Sequence, residues 1–531
     1  MADAENPEKP QLAHVVSDMH SDTSKASKAA VAHEHIEGNA LLVGRDGKVR
    51  RLPIPSTNPN DPLNFKTWEK AAVILYMPQG YDANHITFLL TIPNLCIGLG
   101  NYLILPVSLA FGRRPVFLFS SVVLLAATIG SAAQSSYKAH LATRTIQGLA
   151  TGASESLLPL MLTEVTYLHQ RGRVFGLYWM VQSIFSAALN IASSYIGANL
   201  GWRWYYWIFA ILVGVGIVLT FFCGFETRFS RPATSIDGVV VVTDEFGVTH
   251  VLPDGQAHVH LAEMQQDGAA QDTEHPTTRR SYWQKIKPWS TPHPRPLRMI
   301  VLSWLRMAQC MTSPAILFVV LSASITLGCV VDMSLTYDAV LQAKGWAAQD
   351  VGLVNVGSIV GALLGAAYAT LAGDRLVLWL AKRNAGVHKP EHRLLVLVPP
   401  ALLGMAMLLL YGFTAASASA SSWGIVVAYT LYSVAWVTVL IVTTTFAAEA
   451  APKHPGPALV MVVGTKNIIS FGWTYGLTPL MDRGGYAYAY GVLAGVFGAC
   501  FLLGIPVYVL NPRWRRYAAR MDERRGVVST D

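Results

Sequence analysis

The sequence predicts an all-α integral membrane protein whose membrane-spanning helices form two bundles. Hydrophobic residues make up 52% of the 531 residues and charged residues only 14%, whereas soluble globular proteins carry about a quarter charged residues. The apolar residues fall in stretches close to the ~20 residues that cross a bilayer as a helix. One long interior polar segment, residues 224–298, divides these stretches into two halves.

The polar N-terminal segment, the cysteines and the net charge limit the classes of function that the chain can have. Residues 1–70 are mixed in charge and contain no signal-peptide core, so we predict a disordered cytoplasmic segment. The cysteines lie in or beside apolar stretches at no metal-ligand spacing, so neither disulfides nor a metal or other cofactor is expected. We interpret the net charge of +8 as loop charge that orients a membrane protein, and we expect no nucleic-acid partner.

The apolar stretches predict eleven membrane-spanning helices, five before the central polar segment and six after it. The first five lie near residues 85–111, 115–134, 140–167, 173–199 and 204–223. The other six lie near residues 312–337, 350–372, 394–413, 423–448, 457–480 and 487–509. We therefore expect one bundle at 71–223, a second at 299–510, and a cytoplasmic tail at 511–531.

The central segment 224–298 carries alternating valines beside turn residues. Its stretch GVVVVTDEFGVTHVLPDGQAHVHL, residues 238–261, has the pattern of a small surface β-hairpin. A disordered linker fits the same composition equally well, and both alternatives separate the two membrane halves.

Basic loops alternate with nearly neutral loops along the chain. The loop 112–115, the segment 224–298 and the C-terminal stretch RWRRYAARMDERR are all rich in arginine or lysine. The positive-inside rule therefore predicts that these three parts are cytoplasmic. We expect a multi-pass protein of the plasma membrane.

This orientation requires one more span before residue 86 if the N-terminus is also cytoplasmic. The stretch AAVILYMPQGYDANH, residues 71–85, has an apolar run of only about 10 Å as a helix, too short to cross a bilayer. Three explanations compete. The N-terminus is outside, the segment is re-entrant or interfacial, or a first span is missing through a splice variant or a faulty gene model, which is the explanation we favour.

The stretch GLGNYLILPVSLAFGRRP, residues 98–115, joins two apolar runs through a charged elbow. It resembles the loop signature of the major facilitator superfamily. We expect Gly112, Arg113 and Arg114 to form a conformational-switch loop whose arginines cap helix C-termini and face anionic lipid. Leu109 occupies the position where the family carries an acid. This difference argues against the usual charge latch, the charged contact between this loop and neighbouring helices.

A similar but less complete loop pattern occurs in the second half of the chain. The stretch GALLGAAYATLAGDRLVLWLAKR, residues 361–383, restores an acid–base pair at Asp374 and Arg375 but lacks the following glycine. The stretch RTIQG, residues 144–148, resembles the family's fourth-span signature. Two related loops indicate an internal repeat, which is the usual plan of secondary transporters.

The resemblance covers roughly residues 58–512 and is closest to the fungal drug–proton antiporter-like branch, near permeases for histidinol and polyamines. It implies a major facilitator fold with two bundles around a central cavity, alternating access and proton coupling. The fifth span lacks the Gly-Pro signature of many exporters, which weakens an assignment to export. Because the first helix normally lines the cavity, an inactive variant that lacks this helix is an alternative.

Glu155 and Arg144 are candidate site residues within one predicted helix. They are eleven residues apart, so they lie within roughly 20° on one face but about 16 Å apart along the axis. Ionisable groups at membrane depth cost about 2.5–3.5 kcal/mol each and normally face a cavity. We predict that Glu155 binds a proton or a cationic substrate and that Arg144 tunes its surroundings. Alternatively, Arg144 extends to the outer interface and Glu155 makes a structural hydrogen bond.

Asp332, Lys466 and Asn467 are further candidates inside predicted spans. Lys466 either pairs with an acid or loses its proton more readily, and the alternative is that it extends to the cytoplasmic surface. Glu164 is expected to be structural. Aromatic and amide residues are expected to line a polyspecific pocket, namely Tyr178, Gln182, Asn190, Tyr337, Tyr429, Tyr432, Trp436 and Trp473.

The sequence contains no P-loop, HExxH or GxSxG motif, so we predict neither an enzyme nor direct ATP drive. We predict a monomeric secondary transporter of small organic solutes, cationic or drug-like, coupled to protons. Its partners are the solute, protons and the lipid bilayer. The alternative from another class is a non-transporting membrane sensor or scaffold on the same fold.

Overall fold

The structure is a computed structural model. It describes residues 87–134, 137–167, 170–228, 281–383, 390–450 and 455–524, together with five short strands. The predictions for residues 1–70 and for the short apolar run 71–77 lie outside the described residues, apart from one two-residue strand. The described part is almost entirely helical, which confirms the predicted fold class.

Five long helices make up the first half. They are α1 (Thr87–Phe111), α2 (Arg113–Ala133), α3 (Tyr137–Val165), α4 (Arg171–Asn199) and α5 (Trp202–Cys223). Their bounds lie within a few residues of the predicted spans, because the length of an apolar stretch sets the length of its helix. Helix α3 packs along both α1 and α2, and α2 also packs along α5.

The second half begins with two short helices, α6 (Tyr282–Lys285) and α7 (Pro296–Cys310). The helices that follow are α8 (Pro314–Ala343), α9 (Val354–Ala367), α10 (Gly373–Arg383), α11 (Val398–Ala416), α12 (Trp423–Ala450), α13 (Pro455–Tyr475), α14 (Leu477–Leu502) and α15 (Gly504–Arg524). A π-helical turn, Tyr368–Ala372, joins α9 to α10. Helix α15 continues to Arg524, so most of the predicted tail 511–531 is helical.

Nine segments of the described chain are long and apolar enough to cross a membrane. Helices α3 and α13 are not among them, although both coincide with predicted spans. They carry Arg144, Glu155 and Lys466, which lower their hydropathy. Such helices are stable in a membrane when their ionisable residues face protein or a cavity.

Helix α7 is not predicted by the sequence, because its 15 residues are too few to span a bilayer. Its buried face consists of Met299, Ser303, Met307 and Cys310. Its opposite face exposes Leu297, Val301, Trp304 and Leu305. A short helix with these two faces is typical of a membrane surface, and α7 packs against α1 and α13.

The central segment contains the β-hairpin that was one of its two predicted alternatives. Strand β3 (Val239–Thr243) pairs antiparallel with β4 (Thr249–Pro253), so that Val241 lies opposite Val251. Strand β2 (Thr234–Ile236) pairs with the other edge of β3. A separate two-residue pair joins β1 (Ala40–Leu41) to β5 (Val387–His388).

The two halves meet along two sets of helices. Helix α4 packs against α9 and α12, and α13 packs against α1 and α3. Hydrogen bonds cross this interface, among them Tyr102 Oη to Thr465 Oγ1 at 2.5 Å and Trp179 Nε1 to Thr444 Oγ1 at 3.1 Å. The halves enclose a cavity between these contacts.

Candidate binding cavity between the two bundles

A cavity of about 200 Å³ lies between the two halves. Its polar and aromatic wall residues are Asn94, Glu155, Trp179, Gln182, Ser183, Ser186, Asn190, Ser334, Asn355, Ser358, Tyr429, Ser433, Trp436, Lys466 and Asn467. Among the described residues of this wall, Glu155 is the one acid and Lys466 the one base. The remaining wall is built mainly of amides, hydroxyls, two indoles and aliphatic side chains, which is typical of a site for a small organic molecule.

Glu155 lies in this wall on α3 and is only 4% exposed. Its carboxylate accepts hydrogen bonds from Lys466 Nζ at 3.2 Å and from Asn467 Nδ2 at 2.5 Å, both on α13. Asn101 Nδ2 on α1 lies 3.5 Å from the same carboxylate. A buried carboxylate is tolerated when a cation and hydrogen-bond donors surround it in this way. Glu155 therefore ties the first half of the chain to the second.

Lys466 adopts the paired arrangement that was one of its predicted alternatives. The residue is 2% exposed, so the prediction that it extends to the cytoplasmic surface is wrong. The reason is that Glu155 offers a charged partner at the same depth. The ammonium group also lies 5.3 Å from the ring centroid of Trp179 and 6.0 Å from that of Trp436. Both distances are within the ~6 Å range of cation–π attraction.

Helix α4 presents a polar stripe to the cavity. Gln182, Ser183, Ser186 and Asn190 all belong to the wall and recur at helical spacing. The Oε1 atom of Gln182 and the Oδ1 atom of Asn190 are buried yet accept no hydrogen bond from any described residue. These two oxygens therefore have unused acceptor capacity within the described part of the chain. Trp436, on α12 of the opposite half, is a further predicted wall residue found here.

Tyr337 stands behind the wall and does not belong to it. Its hydroxyl accepts a hydrogen bond from Asn355 Nδ2 at 3.1 Å, and its ring lies 5.4 Å from that of Tyr429. Asn355 and Tyr429 are both wall residues, so Tyr337 holds the residues that line the cavity. Tyr178, Tyr432 and Trp473 are also absent from the wall, whereas Asn190 and Tyr429 are present as expected.

Asp332 is completely buried on α8 but does not reach the cavity. Its carboxyl oxygens make no hydrogen bond of normal geometry with any described residue. The nearest polar groups on α13 belong to Trp473 and Thr474. A Cβ atom at Gly328 would overlap the indole of Trp473, so this glycine is required for the close packing of α8 against α13.

Arg144 lies on α3 away from the cavity wall. It is 2% exposed, and its guanidinium lies close to the phenol groups of Tyr205 and Tyr206 on α5. The alternative that Arg144 extends to the outer interface is therefore wrong, because the neighbouring helix covers it. Its predicted tuning of Glu155 stays a prediction.

The charged elbow is buried inside protein. Arg113 and Arg114 are 1% and 2% exposed, so the expectation that they face anionic lipid is wrong. Arg113 Nη2 pairs with Glu164 Oε1 at 2.6 Å, which gives Glu164 the structural role expected for it. Arg114 donates 2.7 Å hydrogen bonds to the carbonyls of Phe221 and Ile286, so it does cap the end of α5 as predicted.

Two other acids form the latch that Leu109 cannot provide. Glu226 accepts hydrogen bonds from the backbone N–H groups of Arg113 and Arg114, each at 3.2 Å, and so places a carboxylate at the positive end of α2. Glu164 is held in turn by the hydroxyl of Thr227. The usual acid is absent at Leu109, and acids distant in sequence form a different latch.

The second-half loop also differs from its prediction. Asp374 lies 3.5 Å from Arg393 Nη1, and Arg393 Nε lies 2.7 Å from Glu449 Oε2. Arg375, the base of the sequence motif, is exposed, and the half-buried Asp374 forms its ion pair with Arg393. A Cβ atom at Gly172 would lie 2.7 Å from Asp374 Oδ1, so Asp374 reaches the start of α4 in the other half.

The sequence patterns singled out neither Trp179 nor most of the small polar residues of the site. They are Asn94, Asn101, Trp179, Ser183, Ser186, Ser334, Asn355, Ser358 and Ser433. Several of them recur with helical period inside apolar spans, as Ser183, Ser186 and Asn190 do. That period is the signal that could have identified them, since polar side chains in a membrane helix align toward a cavity.

Comparison with known proteins relates the chain to transporters. The family model for the Major Facilitator Superfamily matches residues 70–471. An uncharacterized MFS-type transporter of Schizosaccharomyces pombe is 24% identical over 90% of this chain and 90% of its own length. Protein HOL1 of Saccharomyces cerevisiae is 23% identical over 88% and 90%, respectively. The efflux pump radE of Floropilus chiversii is 22% identical over 74% and 70%.

Proposed function

Because the chain belongs to the Major Facilitator Superfamily, we propose that it is a secondary active transporter of small organic solutes, including cationic or drug-like ones. It works by alternating access and is coupled to protons. It is a monomer of the plasma membrane, with the loop 112–115, the segment 224–298 and the C-terminus in the cytoplasm.

The observation that carries this proposal is the position of Glu155. The carboxylate lines a cavity between the two halves and binds Lys466 from the opposite half at 3.2 Å. The pairing of a group at this position depends on what the cavity contains and on how the two halves are placed relative to each other. A solute or proton that changes its pairing therefore has the differential contact that alternating access requires.

The wall supports an organic rather than an inorganic solute. Two indoles offer apolar and cation–π surface, while Gln182 and Asn190 offer side-chain oxygens that accept no hydrogen bond from the described residues. Within the described residues, no group of three or more His, Cys, Asp or Glu side chains has the arrangement of a metal site. A cavity of about 200 Å³ is of the size that suits a small organic molecule.

Proton coupling is assigned to Glu155, because a carboxylate can exchange a cation for a proton. Asp332 is the second candidate, since its carboxyl group lies buried on α8 without a hydrogen bond from the described residues. Arg144 is proposed to adjust the charge balance of the first half.

The test is uptake of labelled tetraethylammonium by proteoliposomes under an imposed pH gradient. We expect gradient-driven movement with the wild-type protein and none with Glu155→Gln. Asp338→Asn, at an exposed acid outside the cavity, is the matched control and should transport normally. Unchanged transport by Glu155→Gln would remove Glu155 from the mechanism, and binding without any flux would favour the sensor or scaffold.

A further inference from the structure

We infer that the ammonium group of Lys466 is a tethered substitute for a cationic solute, and that an amine or quaternary ammonium solute binds by displacing it from Glu155, Trp179 and Trp436. This inference rests on the proposed function and specifies the solute and the first step of its binding.

Lys466 occupies what is chemically a complete site for an organic cation. Its ammonium group has a carboxylate oxygen at 3.2 Å and two indole rings whose centroids are 5.3 Å and 6.0 Å away. A carboxylate combined with aromatic faces is the arrangement by which proteins bind alkylammonium ions. All four side chains line the cavity, so a solute can reach the site that Lys466 now fills.

Charge balance explains why binding must be an exchange. The described wall holds one acid and one base, so its formal charges cancel. A second cation entering beside Lys466 would leave one positive charge uncompensated in a buried site, which is strongly unfavourable. When the Lys466 ammonium moves away from Glu155, the carboxylate is left to neutralise the incoming cation, and the displaced ammonium carries the remaining positive charge of the wall.

The lysine side chain is suited to such a movement. Its ammonium is a compact charge on a flexible four-carbon stem, unlike the rigid planar fork of arginine. Gln182 and Asn190 line the same cavity, and their side-chain oxygens accept no hydrogen bond from the residues that the structure describes. They offer polar surroundings to a displaced ammonium or to the solute.

The exchange also changes the connection between the halves. Lys466 is part of α13 and Glu155 is part of α3, so the ion pair between them holds these two helices together. A free solute cation bound to Glu155 satisfies the carboxylate without that mechanical link. Solute binding therefore releases one contact between the bundles, which is the change needed to begin alternating access.

The test uses the purified full-length protein in detergent and measures binding of propylammonium chloride through thermal stabilisation. Propylammonium reproduces the part of the lysine side chain that Lys466→Ala removes. We expect Lys466→Ala to bind propylammonium at least about tenfold more tightly than the wild type, since the tethered competitor is gone. The double variant Glu155→Gln/Lys466→Ala should lose this gain, and neutral 1-propanol should not reproduce it.

A second variant keeps the test decisive if Lys466→Ala does not fold. Lys466→Met retains most of the stem volume, and the expected gain is then measured with tetramethylammonium chloride. Equal cation binding by the wild type and both lysine variants would overturn the inference, as would a gain that survives Glu155→Gln. This binding test needs no flux. Transport with unchanged cation affinity would contradict only the exchange, whereas the affinity gain without transport would contradict only the proposed function.

Discussion

The ammonium group of Lys466 lies 3.2 Å from the carboxylate of Glu155, although 311 residues separate them in the sequence. The pair joins α3 of the first half to α13 of the second at the wall of the cavity. Each charge makes the other tolerable at membrane depth. The central hypothesis about solute binding and proton coupling depends on this pair.

The first prediction concerns the stability of the pair. Glu155→Gln alone leaves the Lys466 ammonium buried without its counter-ion, and losing one partner of a buried pair costs about 3–5 kcal/mol. The double variant Glu155→Gln/Lys466→Met removes both charges and should be more stable than the Glu155→Gln variant. Thermal unfolding of the wild type, the two single variants Glu155→Gln and Lys466→Met, and the double variant in detergent measures the coupling, and strictly additive effects would show that the two charges do not interact.

The second prediction concerns the charged elbow. Glu164→Gln removes the carboxylate that binds Arg113 at 2.6 Å and leaves a guanidinium that is 1% exposed without this partner. We expect a loss of about 3 kcal/mol in unfolding free energy. Arg375→Ala, at an exposed position in the equivalent loop of the second half, should cost less than about 0.5 kcal/mol. Similar melting temperatures for the two variants would contradict the buried latch.

The third prediction concerns the backbone of the elbow. Gly112 has φ +104°, and a Cβ there would lie 2.6 Å from Ser290 Cβ and 2.8 Å from Glu226 Oε2. Gly112→Ala should therefore destabilise the protein by about 1–3 kcal/mol. Gly472→Ala is the matched control, because a Cβ at that helical position meets open space. Melting curves of the two variants should differ clearly, and equal stability would mean that the elbow can relax.

The fourth prediction separates two buried carboxyl groups. Asp332 makes no hydrogen bond of normal geometry with the described residues, although Trp473 and Thr474 lie near it, so Asp332→Asn should change the unfolding free energy by less than about 1 kcal/mol. Glu449 pairs with Arg393 at 2.7 Å, and Glu449→Gln should cost about 3 kcal/mol. Thermal unfolding compares them directly. A larger loss for Asp332→Asn would indicate a structural partner for that carboxyl group.

The fifth prediction concerns the volume of the cavity. Ser186 belongs to the wall of a cavity of about 200 Å³, and a leucine there would fill part of it. We expect Ser186→Leu to reduce uptake of tetraethylammonium about tenfold without reducing the amount of protein in the membrane. Ala188→Leu, on the exposed side of the same helix, should transport normally. Normal transport by both variants would place the solute path elsewhere.

Much of the fold was predictable because bilayer thickness fixes the length of a spanning helix. The second span, predicted at 115–134, is found at Arg113–Ala133. Helix α7 escaped prediction because an amphipathic helix of 15 residues has neither the length nor the uniform hydropathy of a span. The β-hairpin could not be separated from a linker, since alternating valines fit a strand only when a partner strand is available.

The site was predictable only within single helices. A polar side chain inside a membrane span costs free energy unless it faces a cavity or a partner. This cost allowed the sequence to single out Glu155, Lys466, Gln182 and the aromatic Trp436. Their pairing could not be predicted, because it depends on how α13 crosses α3. The elbow shows the same limit, since Glu226 replaces an acid missing at Leu109 through a contact between distant segments.

Proton movement across proteoliposomes on addition of a small organic cation tests the central claim most directly. The vesicles contain a pH-sensitive dye, and the membrane potential is clamped so that only coupled exchange moves protons. We expect tetraethylammonium to produce a proton flux with the wild-type protein and none with Glu155→Gln. A wild-type protein that moves no protons, or a Glu155→Gln variant that moves them equally well, would contradict the account.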